Sequence, residues 1–382
     1  MSSPQIARVA VTAVFALNGV LFASIFSRLP VIQERTDIGD GALGLALLCS
    51  MVGLLTSQVV AGPMIVRLGS RPLVIVGGLG YAAGLVPVAL AGSWGVLAAA
   101  FLCVGFANGL LDVAMNTHGL TVEKQLGRPI LSTLHAAFSF GALGGAAVGG
   151  LAAGAGVEVE PHLFSVAVVG AASLLIAGRF LLPPGADASP EGPLFAVPSR
   201  ALALVGAFAF CVLLTEGAVN DWSAVYIEGE LDADEATAAA GLASFSLTMG
   251  IGRLFGDRLN VALGPVRLAR GGATFAAVGI GIALLATGPG LALFGFACAG
   301  VGLAGLFPLA LRAAAAKGET AGPSVAAVSA MGYLGFLAGP PTIGGIAELA
   351  GLRAGLLLLV VLCGVAALLG PAVRAPAALR SR

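Results

Sequence analysis

Charge is what this sequence has least of. Asp, Glu, Lys and Arg together make up 10% of 382 residues, against roughly 25% in an ordinary soluble domain. Apolar residues fill 58% of the chain, and the mean hydropathy is +1.01. So little charge cannot coat a water-exposed surface, which excludes a soluble enzyme. The apolar excess excludes disorder, and the 57 glycines show no three-residue period, which excludes collagen. Cysteine pairing is missing as well. Cys49, Cys103, Cys211, Cys298 and Cys363 stand in apolar stretches without C-x-x-C spacing and read as small buried hydrophobes. Nothing signals a metal site, a nucleophile triad or a cofactor. Glycine runs such as Gly281-Ile282-Ala283 lack the strand and lysine of a phosphate cradle. What remains is an all-α polytopic membrane protein, with a lipid bilayer for its surroundings and no nucleic-acid partner.

Uncharged stretches long enough to cross a bilayer, about 20 residues, recur along the chain. Residues 9–27, 41–66, 129–157, 163–178, 236–252, 320–347 and 354–373 each hold one span. Residues 72–111 and 271–311 hold two each, broken at Ala91-Gly92-Ser93-Trp94 and Thr287-Gly288-Pro289-Gly290. Residues 201–227 are apolar apart from Glu216 and Asp221. The pattern predicts twelve transmembrane helices. With a cytoplasmic N-terminus, all of the 19 Lys and Arg except Arg28, Arg35 and Arg353 face the cytoplasm, Arg253 among them. The even count places the C-terminus there too. Lys is scarce beside Arg while Ala and Gly abound, which points to a GC-rich bacterial genome and hence to the inner membrane.

The Pro/Gly/Ser-rich stretch around Pro183–Pro193 divides the chain into a six-helix bundle (1–182), a cytoplasmic linker (183–199) and a second six-helix bundle (200–382). The halves repeat. Phe101-Leu102-Cys103-Val104-Gly105 matches Phe296-Ala297-Cys298-Ala299-Gly300, and Gly149-Gly150 matches Gly344-Gly345 at the same offset. Leu17-Asn18-Gly19 aligns with Thr215-Glu216-Gly217 at a slightly different one. Two parallel repeats of this kind allow one bundle to rock against the other around a midplane site.

Between spans 2 and 3 stands Gly62-Pro63-Met64-Ile65-Val66-Arg67-Leu68-Gly69-Ser70-Arg71, with a counterpart Gly252-Arg253-Leu254-Phe255-Gly256-Asp257-Arg258 between spans 8 and 9. This text resembles the major facilitator superfamily signature. Val66 occupies the acidic position of the first copy, and the second copy keeps Asp257-Arg258 with about one extra helical turn before its glycine. Asp112-Val113-Ala114-Met115-Asn116, Glu216-Gly217-Ala218-Val219-Asn220-Asp221-Trp222-Ser223 and Gly332-Tyr333-Leu334-Gly335-Phe336 are similar to a bacterial group that includes a membrane protein of rhizopine gene clusters. More distantly they are similar to fucose-permease-type symporters. The resemblance implies the twelve-helix fold, a cavity lined by spans 1, 4, 7 and 10, and a latch built from Arg67, Arg71, Asp257 and Arg258. In the relatives a span-4 carboxylate takes part in proton coupling, which makes Asp112 its match here. The acid those relatives carry on span 1 is replaced by Asn18.

Three acids lie within spans: Asp112, Glu216 and Asp221. Each costs about 2.5–3.5 kcal/mol if charged near the bilayer centre, so each must pair, take up a proton or face water. Asn108, Asp112 and Asn116 form one helical stripe, as do Ser132, His135 and Ser139, and Glu216, Asn220 and Ser223. Asp112 and His135 are placed to share a proton, or Asp112 caps buried polar groups of span 5. Arg28 and Asp221 both fall in the outer half, where they form a gate or, alternatively, anchor at the headgroups. Tyr333 hydrogen-bonds a substrate or packs with one satisfied hydroxyl. His118 and His162 read as loop or interface residues without a role. The glycine runs of spans 5 and 11, the latter with Pro340-Pro341, read as close helix packing and a kink.

The expected function is secondary transport of a small polar solute, sugar- or polyol-like, moved with protons by a monomer. Proton-driven efflux of a drug or metabolite is the alternative within transport. A non-transporting sensor or scaffold is the alternative outside it.

Overall fold

The computed structural model describes residues 3–38, 40–188, 199–233 and 235–374. Their secondary structure is helical. The first half of the chain forms α1 (Pro4–Phe26), α2 (Leu29–Arg35), α3 (Asp40–Leu68), α4 (Ser70–Ala89), α5 (Trp94–Leu126), α6 (Leu131–Gly154) and α7 (Val159–Phe180). The second half forms α8 (Arg200–Leu231), α9 (Glu235–Leu263), α10 (Pro265–Leu284), α11 (Pro289–Leu303), α12 (Leu306–Lys317), α13 (Ala321–Ala350) and α14 (Leu352–Leu369). Pro184–Ala186 and Gly370–Val373 add single 3-10 turns.

Among the described residues 11 helices are long and apolar enough to cross a membrane, α11 and α12 counting as one span over Pro289–Lys317. The expected twelfth corresponds to α9. At 29 residues it has the length, but Arg253, Asp257 and Arg258 lower its apolar content. That helix also corrects an expectation. It runs through residue 263 instead of ending at 252, so Arg253 lies well inside it and is buried. His118 is likewise no loop residue: it is 1% exposed, within α5. His162 is buried in the first turns of α7. Of the expected linker, residues 189–198 lie outside the described residues.

The expected repeat is plain in the backbone. Helices α3 and α9 have the same length and start 195 positions apart (235 less 40), as do α4 and α10 (265 less 70). The turn before α4 has Gly69 at φ 78, ψ 167, and the turn before α10 has Gly264 at φ 78, ψ 158. Left-handed φ of this kind is cheap only for glycine. Gly156 and Gly351 form a second positive-φ pair at the same offset.

The chain divides into two compact units. One comprises Met1–Ile130, Leu134–Ala196 and Glu319–Ala326; the other comprises Leu131–Thr133, Val197–Gly318 and Ala327–Arg382. In the first unit α5 packs on α3 and α4, and α7 on α1 and α4. Close approach depends on glycine: a Cβ on Gly105 would collide with the Ser50 carbonyl of α3. The start of the linker is tied to the same unit. Asp187 Oδ1 accepts from Ser70 N–H at 2.9 Å, capping α4. His118 Nε2 accepts from Leu182 N–H at 3.1 Å, which leaves Nδ1 to donate to Ser70 Oγ at 2.7 Å. In the second unit α11 packs on α9 and α10, and α10 on α14. Tyr226, fully buried, donates to the Ala283 carbonyl at 3.1 Å and so ties α8 to the end of α10.

Gly105→Val should lower the thermal midpoint of the purified protein markedly, by the roughly 1–3 kcal/mol of an overpacked contact. Gly144→Val, with open space around its Cα, should leave the midpoint within a degree. Equal midpoints would show that α3 and α5 do not need this approach.

Candidate functional site

In the first unit the stripe on α5 meets the face of α6. Asn116 is fully buried, and its Nδ2 donates to Asp112 Oδ1 at 3.0 Å and to the Asp112 carbonyl at 2.9 Å. Its Oδ1 accepts from His135 Nε2 at 3.1 Å. Asp112, Asn116 and His135 thus form one chain of polar contacts, with Asn116 bonded to both ionisable groups. Phe15 of α1 sets its ring edge-on to His135 at 5.3 Å. Asn18, a further turn along α1, points Nδ2 at Met115 Sδ, 3.7 Å away. Its Oδ1 is buried and accepts nothing from the protein, and the same holds for Asn108 Oδ1.

In the second unit Glu216 of α8 pairs with Arg253 of α9, Oε1 to Nη2, at 3.1 Å. Both side chains are nearly buried, and Glu216 Oε2 receives no hydrogen bond from the protein. One turn on, Asn220 is half-buried, and Asp221 is exposed. Tyr333 of α13 stands between Phe307 (6.1 Å) and Phe336 (6.3 Å), and Phe336 fills the space beside Gly217. An aromatic group therefore adjoins the Glu216 turn, which the sequence stripe of amides and acids does not suggest.

The expected gate residues differ sharply in setting. Asp257 is 6% exposed. It accepts from the Ser132 and Thr133 backbone N–H groups at 3.0 and 2.8 Å, from Thr133 Oγ1 at 2.7 Å and from Arg312 at 3.3 Å. A carboxylate here satisfies first-turn N–H groups of α6 and meets the positive end of its dipole. Arg258, next in the chain, is exposed, as is Arg67; Arg71 is half-buried. In the first unit Val66 is buried, and Gly62 and Ile65 pack against Pro323 and Gly322 of α13. Arg28 is buried and donates to the Val157 carbonyl at 2.5 Å. Among the described residues no cluster of three His, Cys, Asp or Glu side chains could hold a metal ion.

A sequence model described as Major Facilitator Superfamily matches residues 11–219. The chain belongs to the Major Facilitator Superfamily. It is 33% identical over 342 residues to an uncharacterized MFS-type transporter of Yersinia pestis, covering 88% of each chain. It is 30% identical over 363 residues to the membrane protein MosC of Rhizobium meliloti, covering 92% of this chain and 87% of the other. Among solved structures it superposes on the Escherichia coli fucose:proton symporter FucP with a TM-score of 0.77 at 17% identity, over 96% and 98% of the two chains. The human organic anion transporter MFSD10 gives 0.80 at 15% identity, over 97% and 100%. These likenesses show the MFS fold. Family and fold make the chain a multi-pass membrane protein and support membrane transport.

Sequence reasoning missed two residues of this MFS chain that the structure brings forward. Arg253 was counted as a topology charge, yet it is the partner of Glu216. Gln58 of α3 is 4% exposed, with both amide atoms unpartnered in the protein. They occupy the same place in the repeat (253 less 58 is again 195), so aligning the halves could have found both.

Glu216→Gln and Arg253→Gln should each destabilise the protein, by up to about 3–5 kcal/mol, because each leaves the other charge without its partner. The double variant should lose clearly less than the sum of the two. Additive losses in thermal or denaturant unfolding would show that the pair is not an energetic unit.

Proposed function

We propose that the chain is a proton-coupled carrier of a small polar solute, sugar- or polyol-like, working by alternating access in the bacterial inner membrane as a monomer. On this reading α9 is the twelfth span and both termini are cytoplasmic. The observation that carries the proposal is the set of buried polar atoms that the protein leaves without a partner: Asn18 Oδ1, the Gln58 amide, Asn108 Oδ1 and Glu216 Oε2. Such groups cost about 1–3 kcal/mol each when nothing meets them. Hydroxyl groups, which both donate and accept, match amide and carboxylate atoms of this kind. Asp112, joined through Asn116 to His135, supplies a titratable chain for the proton, and Glu216 offers a second carboxylate to solute or proton. Arg28 and Asp221 act as an outer gate, and Arg67, Arg71, Asp257 and Arg258 as the inner latch. The second reading, efflux of a drug or metabolite, draws on the Phe307, Tyr333 and Phe336 rings, which suit an apolar cargo.

In proteoliposomes a cargo of the polyol class should drive proton flux. Asp112→Asn and Glu216→Gln should each cut it at least tenfold while the thermal midpoint shows folded protein. Undiminished flux in both would sink the coupling assignment. Arg28→Gln and Asp221→Asn belong in the same assay, where a gate gives losses smaller together than their sum and independent residues give additive ones. Topology is tested by single cysteines in a cysteine-free background, at Gln125 and Glu228, both exposed. An impermeant maleimide added outside intact cells should label position 228 and spare 125. Labelling of both, or of 125 alone, overturns the orientation.

A further inference from the structure

The end of α1 and the start of α7 enclose a polar cluster that the transport reading does not use as a binding site. Arg28 is 4% exposed. One of its nitrogens, Nη2, donates to the Val157 carbonyl, while Nε and Nη1 are buried and find no acceptor in the protein. His162 is 5% exposed, and neither ring nitrogen has a partner. Burial and then the charge of Arg28 both act on that ring. Ser27 Oγ and the His162 ring both lie against the α-carbon of Gly149, so the end of α1, the middle of α6 and the first turns of α7 converge here. Ser24, on the last turn of α1, is fully buried with its hydroxyl unpartnered.

The unusual feature is a buried positive charge with no counter-charge. Among the described residues no carboxylate pairs with Arg28. The two acids nearest in the chain to His162 are otherwise placed: Glu160 is bound to Arg35 at 2.8 Å, and Glu158 is exposed. Arginine keeps its proton under all ordinary conditions, so the cost of burying it cannot be relieved by neutralisation and must be met by an opposite charge. The groups left over are donors in the main: two guanidinium nitrogens with three N–H bonds between them, and at least one imidazole N–H. A water molecule would bring two hydrogens of its own and no charge. A small anion accepts from all of these groups and balances the guanidinium.

We propose that Arg28 and His162 form a binding site for a small monovalent inorganic anion, chloride being the abundant one. The anion fastens the end of α1 to the turn between α6 and α7. The proposal does not rest on the transport reading and holds or fails without it.

The test is the thermal midpoint of the purified full chain as sodium chloride replaces sodium gluconate at constant ionic strength. A saturable rise of about 2 °C or more is expected. Arg28→Gln should abolish it, and His162→Phe should raise the half-saturating chloride concentration at least tenfold. Glu228→Gln, at an exposed acid outside the cluster, should leave it unchanged. A response that appears only in Asp221→Asn means that this carboxylate is the counter-ion, and the anion site is overturned. So is it by a flat response in the wild type, which would leave water in the site, or by a response to acetate without one to chloride. Should Arg28→Gln fail to fold, bromide-soaked crystals of the wild type decide. An anomalous peak within about 4 Å of the Arg28 guanidinium supports the site, and no peak there removes it.

Discussion

A charge in hydrocarbon must be answered, and the ionisable side chains of this protein are placed by that requirement. With only 10% charged residues in the chain, each one inside a helix bundle stands out, and several have distinct answers within the protein. Glu216 and Arg253 answer one another across α8 and α9. Asp257 is answered by the N–H groups at the start of α6 and by Arg312. Asp112 receives the amide of Asn116, which in turn holds His135. Glycine contacts such as Gly105 on Ser50 bring backbones together without such groups. The polar groups therefore add fixed relations between particular helices on top of packing that is otherwise apolar.

The internal repeat shows how differently one architecture can be furnished. Asp257 and Gly62 occupy the same place in α9 and α3 (257 less 62 is 195). In the second unit that place holds the start of α6 by charge and hydrogen bonds. In the first it holds the start of α13 by contact of glycine with Pro323. Because α3 and α9 have equal length, the extra turn between Asp257 and its glycine is no insertion. It sets the acid four residues deeper than the position that Val66 fills. The glycine junction is an apolar contact, whereas the carboxylate of Asp257 accepts four hydrogen bonds.

Fold and family were legible because they depend on patterns summed over many residues: uncharged stretches of bilayer length and the glycine-rich signature. The 195-residue repeat was visible in two short matches and extends to helix ends and turn conformations. The uncharged stretch 236–252 does not mark the end of its helix. Arg253 sits ten residues before the end of α9, where a carboxylate on another helix makes it affordable. Sequence spacing along one helix does not show a partner on the next. Gln58 escaped for the opposite reason: a neutral amide does not interrupt an apolar run, and its unpartnered state is visible only in three dimensions. His118 and His162 read as loop or interface residues from the sequence. Yet α5 continues well past Asp112, and the first turns of α7 are packed.

The two units treat the same helix pair in opposite ways, and this bears on the proposed mechanism. Where the second unit has Glu216 and Arg253, the first has Asn18 and Gln58. The charged pair is bound to itself through one carboxylate oxygen; the neutral amides are bound to little. A neutral amide without a partner costs about 1–3 kcal/mol, an amount that a few solute hydroxyls can return. A lone buried charge costs more, so a carboxylate cannot simply wait for cargo in the way an amide can. On the transport reading, neutral amides in one unit and a paired acid in the other divide the work by energetic scale. On the transport reading, coupling then depends on the arginine as much as on the acid. Arg253 is the partner that Glu216 gives up on that reading.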